Sequence, residues 1–440
     1  MIGTTMMRPL PFRDPAPEIM SDPQSLADFC PGILHAVPAR DGLLMRLRLP
    51  GGGLAPATLA AIADLSARHG DGRIDLTARA NIQLRGIRPD GLSPMVDGLT
   101  RAGLLPSPAH DRVRNILVSP FAGVDPDELL DLGPLAGAVD RALIADAGLA
   151  RLPAKFAFTL DGGGRGFDPG GADLTLTAVT TGIGSRLHLS VAGRSTGLGV
   201  PIGQAAGLLL HAAHALLAVA DTHGLPARGR AVVREPAALD DFLGRLTAAP
   251  CPAPIARATV QTFGILPETA RDHATLLPVA PLGRITADQA GGLAELAIHF
   301  GFDMKLTAWR NLALRHVARS DFADLSVRLA TLGLALDGRD GFAGIAACTG
   351  STGCAAALAD VRADAKMLAT ALAGTEPPAD WSIHFAGCAK RCALRGGAKV
   401  DLIATRIGYD VLFDGKPAHA GLPLDLALAA ARTAYRTKAP

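Results

Sequence analysis

One fixed shift in register superposes one part of this chain on another. It brings Gly53 onto Gly283, His69 onto His299, Thr77-Ala78 onto Thr307-Ala308, Asn81 onto Asn311 and Leu84-Arg85 onto Leu314-Arg315. The matches cluster at the ends of one strand–helix–strand pattern, so they indicate a duplicated unit rather than a compositional accident. In the first copy, residues 43–49 alternate as a strand that stops at Pro50-Gly-Gly-Gly53. A helical period then runs from Thr58 to His69, and the segment IDLTARANIQLRGI reads as a strand pair. Such a repeat buries its two halves against each other around a pseudo-two-fold axis. A site between them draws residues from both copies.

After each unit comes a larger α/β segment. In the first, helices are expected over 127–148 and 204–223 and strands over 155–160, 173–179 and 185–191. In the second, a helix is expected over 355–373 and strands over 382–386 and 399–405. The expected division is a mobile leader over 1–26, half-domains over 27–90 and 251–318, and α/β lobes over 91–250 and 319–440. Pro250 to Pro254 serves as the linker.

The second lobe carries four of the six cysteines. Cys348 and Cys354 have five residues between them, and Cys388 and Cys392 have three. Both pairs lie in loops containing glycine (Gly350, Gly353, Gly387), where a backbone can wrap closely around a compact object. Four soft thiolates suit a tetrahedral zinc or an iron–sulfur cube. Zinc knuckles close with tighter gaps, so the spacing favours a [4Fe–4S] cluster. A mononuclear non-haem iron is left open beside it.

Composition narrows the function. A net charge of +2 gives no case for a nucleic-acid partner. Residues 207–220 form the most apolar run, interrupted by His211 and His214, and no membrane span is expected. Clustered cysteines and a first segment without an apolar core point to a reducing, cytoplasmic setting. Cys30 and Cys251 read as buried thiols, and His384 as a core residue rather than an iron ligand. His211 and His214 share a helix face without an acidic partner nearby. The glycine run 161–166 reads as a hairpin rather than a phosphate cradle. No Gly-x-Gly-x-x-Gly fingerprint is present, so any NADH dependence must run through a separate reductase.

Three basic segments remain. Arg79, Asn81, Gln83 and Arg85 are spaced to share one side of a strand. Arg114-Asn115 precedes an apolar run, and Lys155 opens a strand. Guanidinium groups bind carboxylates through paired donors.

The Cys-x5-Cys and Cys-x3-Cys pairs resemble the cluster motif of the sirohaem sulfite and nitrite reductases. That resemblance implies an α/β (α+β) fold of duplicated ferredoxin-like half-domains and two larger lobes related by a pseudo-two-fold axis. It also implies that Cys392 bridges the cluster to a haem iron, and that Arg79, Arg114 and Lys155 are the catalytic groups around an anionic substrate. Asn81, Gln83, Arg85 and Asn115 complete the expected binding shell. The chain departs from the reductases at Ala157, where they usually carry a second lysine, and in the loop Cys388-Ala-Lys-Arg-Cys392, which lacks their Pro-Asn-Gly.

Cys30-Pro-Gly, the Gly-Leu-Leu strand after it, the short length and the Gly-Cys-Ala-Lys-x-Cys loop resemble the precorrin-3B synthase family within the same superfamily, over roughly residues 28–410. This implies dioxygen-dependent hydroxylation of precorrin-3A with γ-lactone closure in cobalamin biosynthesis. Electrons would come from a separate donor, an NADH-linked reductase or a ferredoxin. A sirohaem-dependent sulfite or nitrite reductase is the alternative, and a non-catalytic iron–sulfur electron carrier the second.

Overall fold

The computed structural model describes residues 30–437 apart from 166, 168–170, 183, 256–262, 379–380 and 395–396. The leader expected over 1–26 lies outside the described residues. The first half-domain comprises β1 (Val37–Ala39), β2 (Gly42–Leu47), α1 (Pro56–His69), β3 (Arg73–Leu76), β4 (Ile82–Ile87) and α2 (Leu92–Arg101). The first lobe comprises β5 (Ile116–Val118), α3 (Gly133–Ala145), β6 (Phe158–Asp161), β7 (Leu174–Thr181), β8 (Gly184–Val191), β9 (Arg194–Val200), α4 (Ala205–His223), α5 (Gly229–Arg234), α6 (Pro236–Gly244) and β10 (Ala249–Pro250). The second half-domain comprises β11 (Gly264–Pro267), β12 (His273–Leu277), β13 (Arg284–Thr286), α7 (Ala287–Phe300), β14 (Asp303–Leu306), β15 (Leu312–Ala318) and α8 (Phe322–Thr331). The second lobe comprises β16 (Ile345–Ala347), α9 (Val361–Leu372), β17 (Ile383–Ala386), β18 (Val400–Ala404), β19 (Tyr409–Phe413), β20 (Lys416–Leu422) and α10 (Leu424–Thr437).

The repeat is structural. β3 and β14, the starts of β4 and β15, and α2 and α8 are each separated by the same interval as Asn81 and Asn311. Helices α1 and α7 pack together, and Leu59 and Ile62 share one core with Leu293 and Ala294. Each copy lends an edge to the other. β13 pairs antiparallel with β3, Arg284 opposite Asp75, while Gly53 bridges to Lys305 and the Leu54 N–H donates to the Met304 carbonyl at 3.0 Å. The boundaries at 90 and 318 fall too early. Met95 and Leu99 of α2, with Leu325 and Leu329 of α8, are buried in the half-domain core. An amphipathic helix joins the core that covers its apolar side.

The lobes are also duplicates. In each, three parallel strands (β5–β6–β7; β16–β17–β18) continue into antiparallel ones. Parallel β6 and β7 rule out the hairpin expected over 161–166. Pro250 is tied to β9 at the sheet edge rather than running free as a linker. Helix α4 is long and apolar enough to cross a membrane, but its Leu208, Leu209, Ala212, Ala213 and Leu216 are buried in the lobe core. The expected helix over 127–148 begins at Gly133, with Pro134 in its first turn, after Asp131 accepts the Gly133 N–H at 2.8 Å. That over 355–373 begins at Val361, where Asp360 caps the Ala363 N–H at 3.3 Å.

Candidate functional site

Both cysteine loops leave the C-terminal ends of adjacent parallel strands, Cys348 directly after β16 and Cys388 shortly after β17. Chain ends that emerge side by side from a parallel sheet must diverge around a shared crevice. The loops are stitched to each other, the Leu358 N–H donating to the Gly387 carbonyl at 2.8 Å and the Gly387 N–H to Cys348 Sγ at 3.2 Å. Residue 387 must be glycine, since a Cβ there would lie 2.7 Å from the Ala357 methyl. Cys392 is exposed, and Cys348, Cys354 and Cys388 are half-buried. Among the described residues no three His, Cys, Asp or Glu side chains are close enough to hold a single metal ion. Two loops that carry four soft sulfur donors, Cys348, Cys354, Cys388 and Cys392, with gaps of five and three residues, fit a compact inorganic core.

The first lobe has the same loop scaffold without the thiols. Its Asp125 N–H donates to Phe121 as that of Cys354 does to Gly350 (3.0 and 2.9 Å), and Leu129 bonds to Gly162 as Leu358 does to Gly387. Ser119 and Asp125 thus occupy the places of Cys348 and Cys354, with the same five-residue gap between them. Only one of the two pseudo-equivalent crevices offers soft ligands.

His384 holds the second loop from below. It is fully buried and meets Asp401 at 3.1 Å, while Arg391, inside the loop, donates to the other Asp401 oxygen at 2.6 Å. Burial pushes the His384 imidazole below its ordinary pKa, opposed by Asp401. It is a supporting residue, as its sequence position suggested.

The open face of the first half-domain sheet abuts these loops. Across β2, β4, β3 and β13 run Arg46, Gln83, Asp75 and Arg284 in register. Arg85, further along β4, reaches over the lobe boundary to the Gly353 carbonyl at 2.8 Å and grips Asp41 through two bonds of 2.7 and 2.9 Å. Its twin Arg315 donates to the Ala122 carbonyl of the other lobe at 2.6 Å. Each half-domain therefore clamps one lobe loop with an arginine from the same strand position.

Most of the expected site residues have partners within the protein. Arg85 is 3% exposed and engaged as a clamp, not open to substrate. Arg114, 7% exposed, makes a bidentate pair with Asp140 of α3 at 2.8 and 2.7 Å. Its Nε/Nη2 edge is spent on that carboxylate. Asn81 accepts the Leu49 N–H and donates to Asn115, which in turn holds the Ala154 and Phe156 carbonyls. Both are buried structural amides. Gln83 accepts from Arg46 at 2.7 Å. Arg79 is half-buried in the turn between β3 and β4 rather than on a strand, and Lys155 is half-buried just before β6. The expected pair His211 and His214 is spent on the Arg245 carbonyl and on Asp146.

Sequence reasoning missed two cations. Arg46 and Arg48 converge on Cys30, with Nη atoms 3.1 and 3.7 Å from its sulfur, and Arg48 also holds the Pro31 and Asp111 carbonyls. Neither meets a carboxylate among the described residues, and the Nε of each is buried without a partner. Burial pushes the Arg48 guanidinium down to about 10, with Arg46 and Arg79 adding to the effect. Their signal was the alternation Arg46-Leu47-Arg48 on a strand whose other face is core. Ala157 is sealed instead, packed with Leu117 and Phe167 beneath Trp309 and Ala308.

Comparison with known proteins follows this geometry. The nitrite/sulfite reductase ferredoxin-like half-domain family matches twice, over residues 35–102 and 269–332, including α2 and α8. A precorrin-3B synthase of a Sinorhizobium species is 28% identical over 399 residues, covering 90% of this chain and 84% of that protein. A ferredoxin–nitrite reductase of Synechococcus elongatus is 27% identical over 421 residues, covering 86% and 81%. The structure of the Mycobacterium tuberculosis NirA protein superposes with a TM-score of 0.71 at 20% identity over 87% of this chain and 78% of that one, showing the same fold. Residues 35–102 and 269–332 are thus two nitrite/sulfite reductase ferredoxin-like half-domains, set in a chain that shares the NirA fold.

Proposed function

We propose that the chain is an oxidoreductase carrying a [4Fe–4S] cluster on Cys348, Cys354, Cys388 and Cys392, and that it acts as a precorrin-3B synthase. Its substrate is precorrin-3A, a tetrapyrrole bearing many carboxylates. One oxygen atom of dioxygen enters the product, where an acetate closes as a γ-lactone. The other leaves as water with two electrons and two protons drawn from a separate donor. When bound, the cluster supplies single electrons.

The observation that carries this reading is the half-buried Arg46 beside the buried Arg48, neither meeting a carboxylate among the described residues, with a sealed Ala157. A half-buried guanidinium such as Arg46 favours an anionic ligand, substrate carboxylates being the fitting one, while Arg48, held by the Pro31 and Asp111 carbonyls, stands behind it as fixed charge. Arg79, whose charge acts on Arg48, extends the shell. Six-electron reduction of a small anion calls for a dense set of proton-donating cations, and an apolar cluster fills the place of one of them. The match along 90% of the chain to a precorrin-3B synthase supports the same assignment. The similar match to a nitrite reductase keeps a sirohaem-dependent sulfite or nitrite reductase as the competing reading.

The test is mass spectrometry of precorrin-3A incubated with enzyme, reductant and dioxygen, beside a sulfite and nitrite reduction assay. A hydroxylated lactone that forms only with oxygen is expected. Sulfide or ammonia production with precorrin-3A unchanged would replace the assignment by its competitor.

A further inference from the structure

The charge around the two pseudo-equivalent crevices is not equivalent. At the cysteine-bearing crevice, Arg310 sits in the tight turn between β14 and β15 with φ of 63°. It donates to the Leu76 carbonyl at 3.0 Å and to the carbonyl of Ala347, the residue before Cys348, at 2.9 Å. Gly283 makes room for it, since a Cβ there would stand 2.7 Å from Arg310 Nε. Arg362, on the first turn of α9, is 8% exposed and donates to the Leu282 carbonyl at 3.2 Å.

The neighbouring charges cancel in pairs. Arg284 holds Asp75, Arg85 holds Asp41, Arg73 meets Asp71 and Arg391 holds Asp401. Among the described residues, Arg310 and Arg362 make no ion pair of their own and share the field of Asp75 with Arg284. Burial pushes the Arg362 guanidinium down to about 9, with Arg284 and Arg310 adding to the effect, so it keeps its charge at neutral pH. At the crevice without cysteines, the equivalent residues of the first copy are Ala80 and Gly133. There Lys305 takes the place of Asp75, beside Glu128 and Asp131. Among the described residues of the two crevices, this pair of buried arginines appears on the side of the thiols.

We infer that Arg310 and Arg362 are positioning residues that hold fixed positive charge behind the cysteine crevice and thereby raise the reduction potential of the centre bound there. The inference rests on the cluster assigned above. A thiolate-held cube is a dianion that becomes a trianion on reduction, so nearby fixed cations favour the reduced form. The two surplus charges are themselves costly unless an anion offsets them.

The experiment is an EPR-monitored redox titration of the full chain and of Arg362→Gln, Arg310→Gln and Arg362→Lys, with iron and sulfide counted in each. Each Gln variant is expected to shift the reduction equilibrium on the order of tenfold toward the oxidised form, about 59 mV lower for a one-electron couple. The Lys variant is expected to stay near the parent. Gln variants that titrate with the parent at full iron content overturn the inference. If a Gln variant loses its iron, retention by Arg362→Lys supports a requirement for charge, and loss in both shows a merely structural role and overturns it. A parent without iron or sulfide refutes the cluster itself, a distinguishable failure.

Discussion

Ala157→Lys restores the cation that the reductases carry, and the structure sets its cost. Ala157 is 3% exposed, and its methyl packs against Leu117 and Phe167. Phe167 meets Trp309 edge-on at 6.5 Å, and Trp309 leans on Phe121 at 6.0 Å. A lysine stem forced into this cluster overpacks it by roughly 1–3 kcal/mol. An unpaired ammonium there adds a further cost or loses its proton. The expected destabilisation is about 2–4 kcal/mol, read as a lower midpoint in guanidinium unfolding, with no gain of sulfite or nitrite reduction. Trp309→Ala alone costs on the order of 2–3 kcal/mol, below the full range for a buried tryptophan because Trp309 is half-buried. The double variant should then cost at least about 1 kcal/mol less than the sum, since the cavity admits the lysine. Additive losses would show that Trp309 does not occupy the position. A gain of anion reduction by Ala157→Lys alone would refute the reasoning.

Other outcomes follow from the same contacts. Arg85→Met strands the Asp41 carboxylate and should cost roughly 3–5 kcal/mol, while Arg85→Met with Asp41→Leu should recover most of it; equal losses in both, measured by denaturant unfolding, would remove the clamp. Burial pushes Glu128 up to about 7, so the folded chain binds the extra proton between about 4.5 and 7 and loses stability as pH rises through that window. Glu128→Gln should flatten this slope in melting curves at several pH values, and an unchanged slope contradicts it. Cys388→Ser should remove most iron and loosen the second lobe, because ligation is coupled to folding; full iron and sulfide with the parent's EPR signal would exclude Cys388 as a ligand.

How far the sequence could be read depended on how local each signal was. The repeat was legible because turns such as Thr77–Asn81 and Thr307–Asn311 need the same residues twice. In each, the threonine hydroxyl accepts the asparagine N–H at 3.2 Å. The exchange of strand edges between copies was not, since nothing within β3 specifies that β13 will pair with it. The ion pairs of Arg85 and Arg114 were not legible for a related reason. A charged residue on the outer face of a strand looks the same in sequence whether it meets water, a ligand or another lobe, and their partners Asp41 and Asp140 lie 44 and 26 residues away. That the two cysteine loops meet was legible because thiol ligand chemistry admits few residue types. Arg310 and Arg362, which flank them in space, carried no comparable pattern and emerge only when the two crevices are compared.

The central claim is that this chain holds an iron–sulfur cluster without sirohaem. Iron and sulfide analysis of anaerobically purified protein, with its visible absorption and EPR spectra, tests it most directly. Iron and sulfide in equal amounts, about four of each per chain, with a cluster EPR signal on reduction and no haem bands, is the expected result. Sirohaem bands would move the chain to the sulfite and nitrite reductases, and protein free of iron and sulfide would contradict the account at its root.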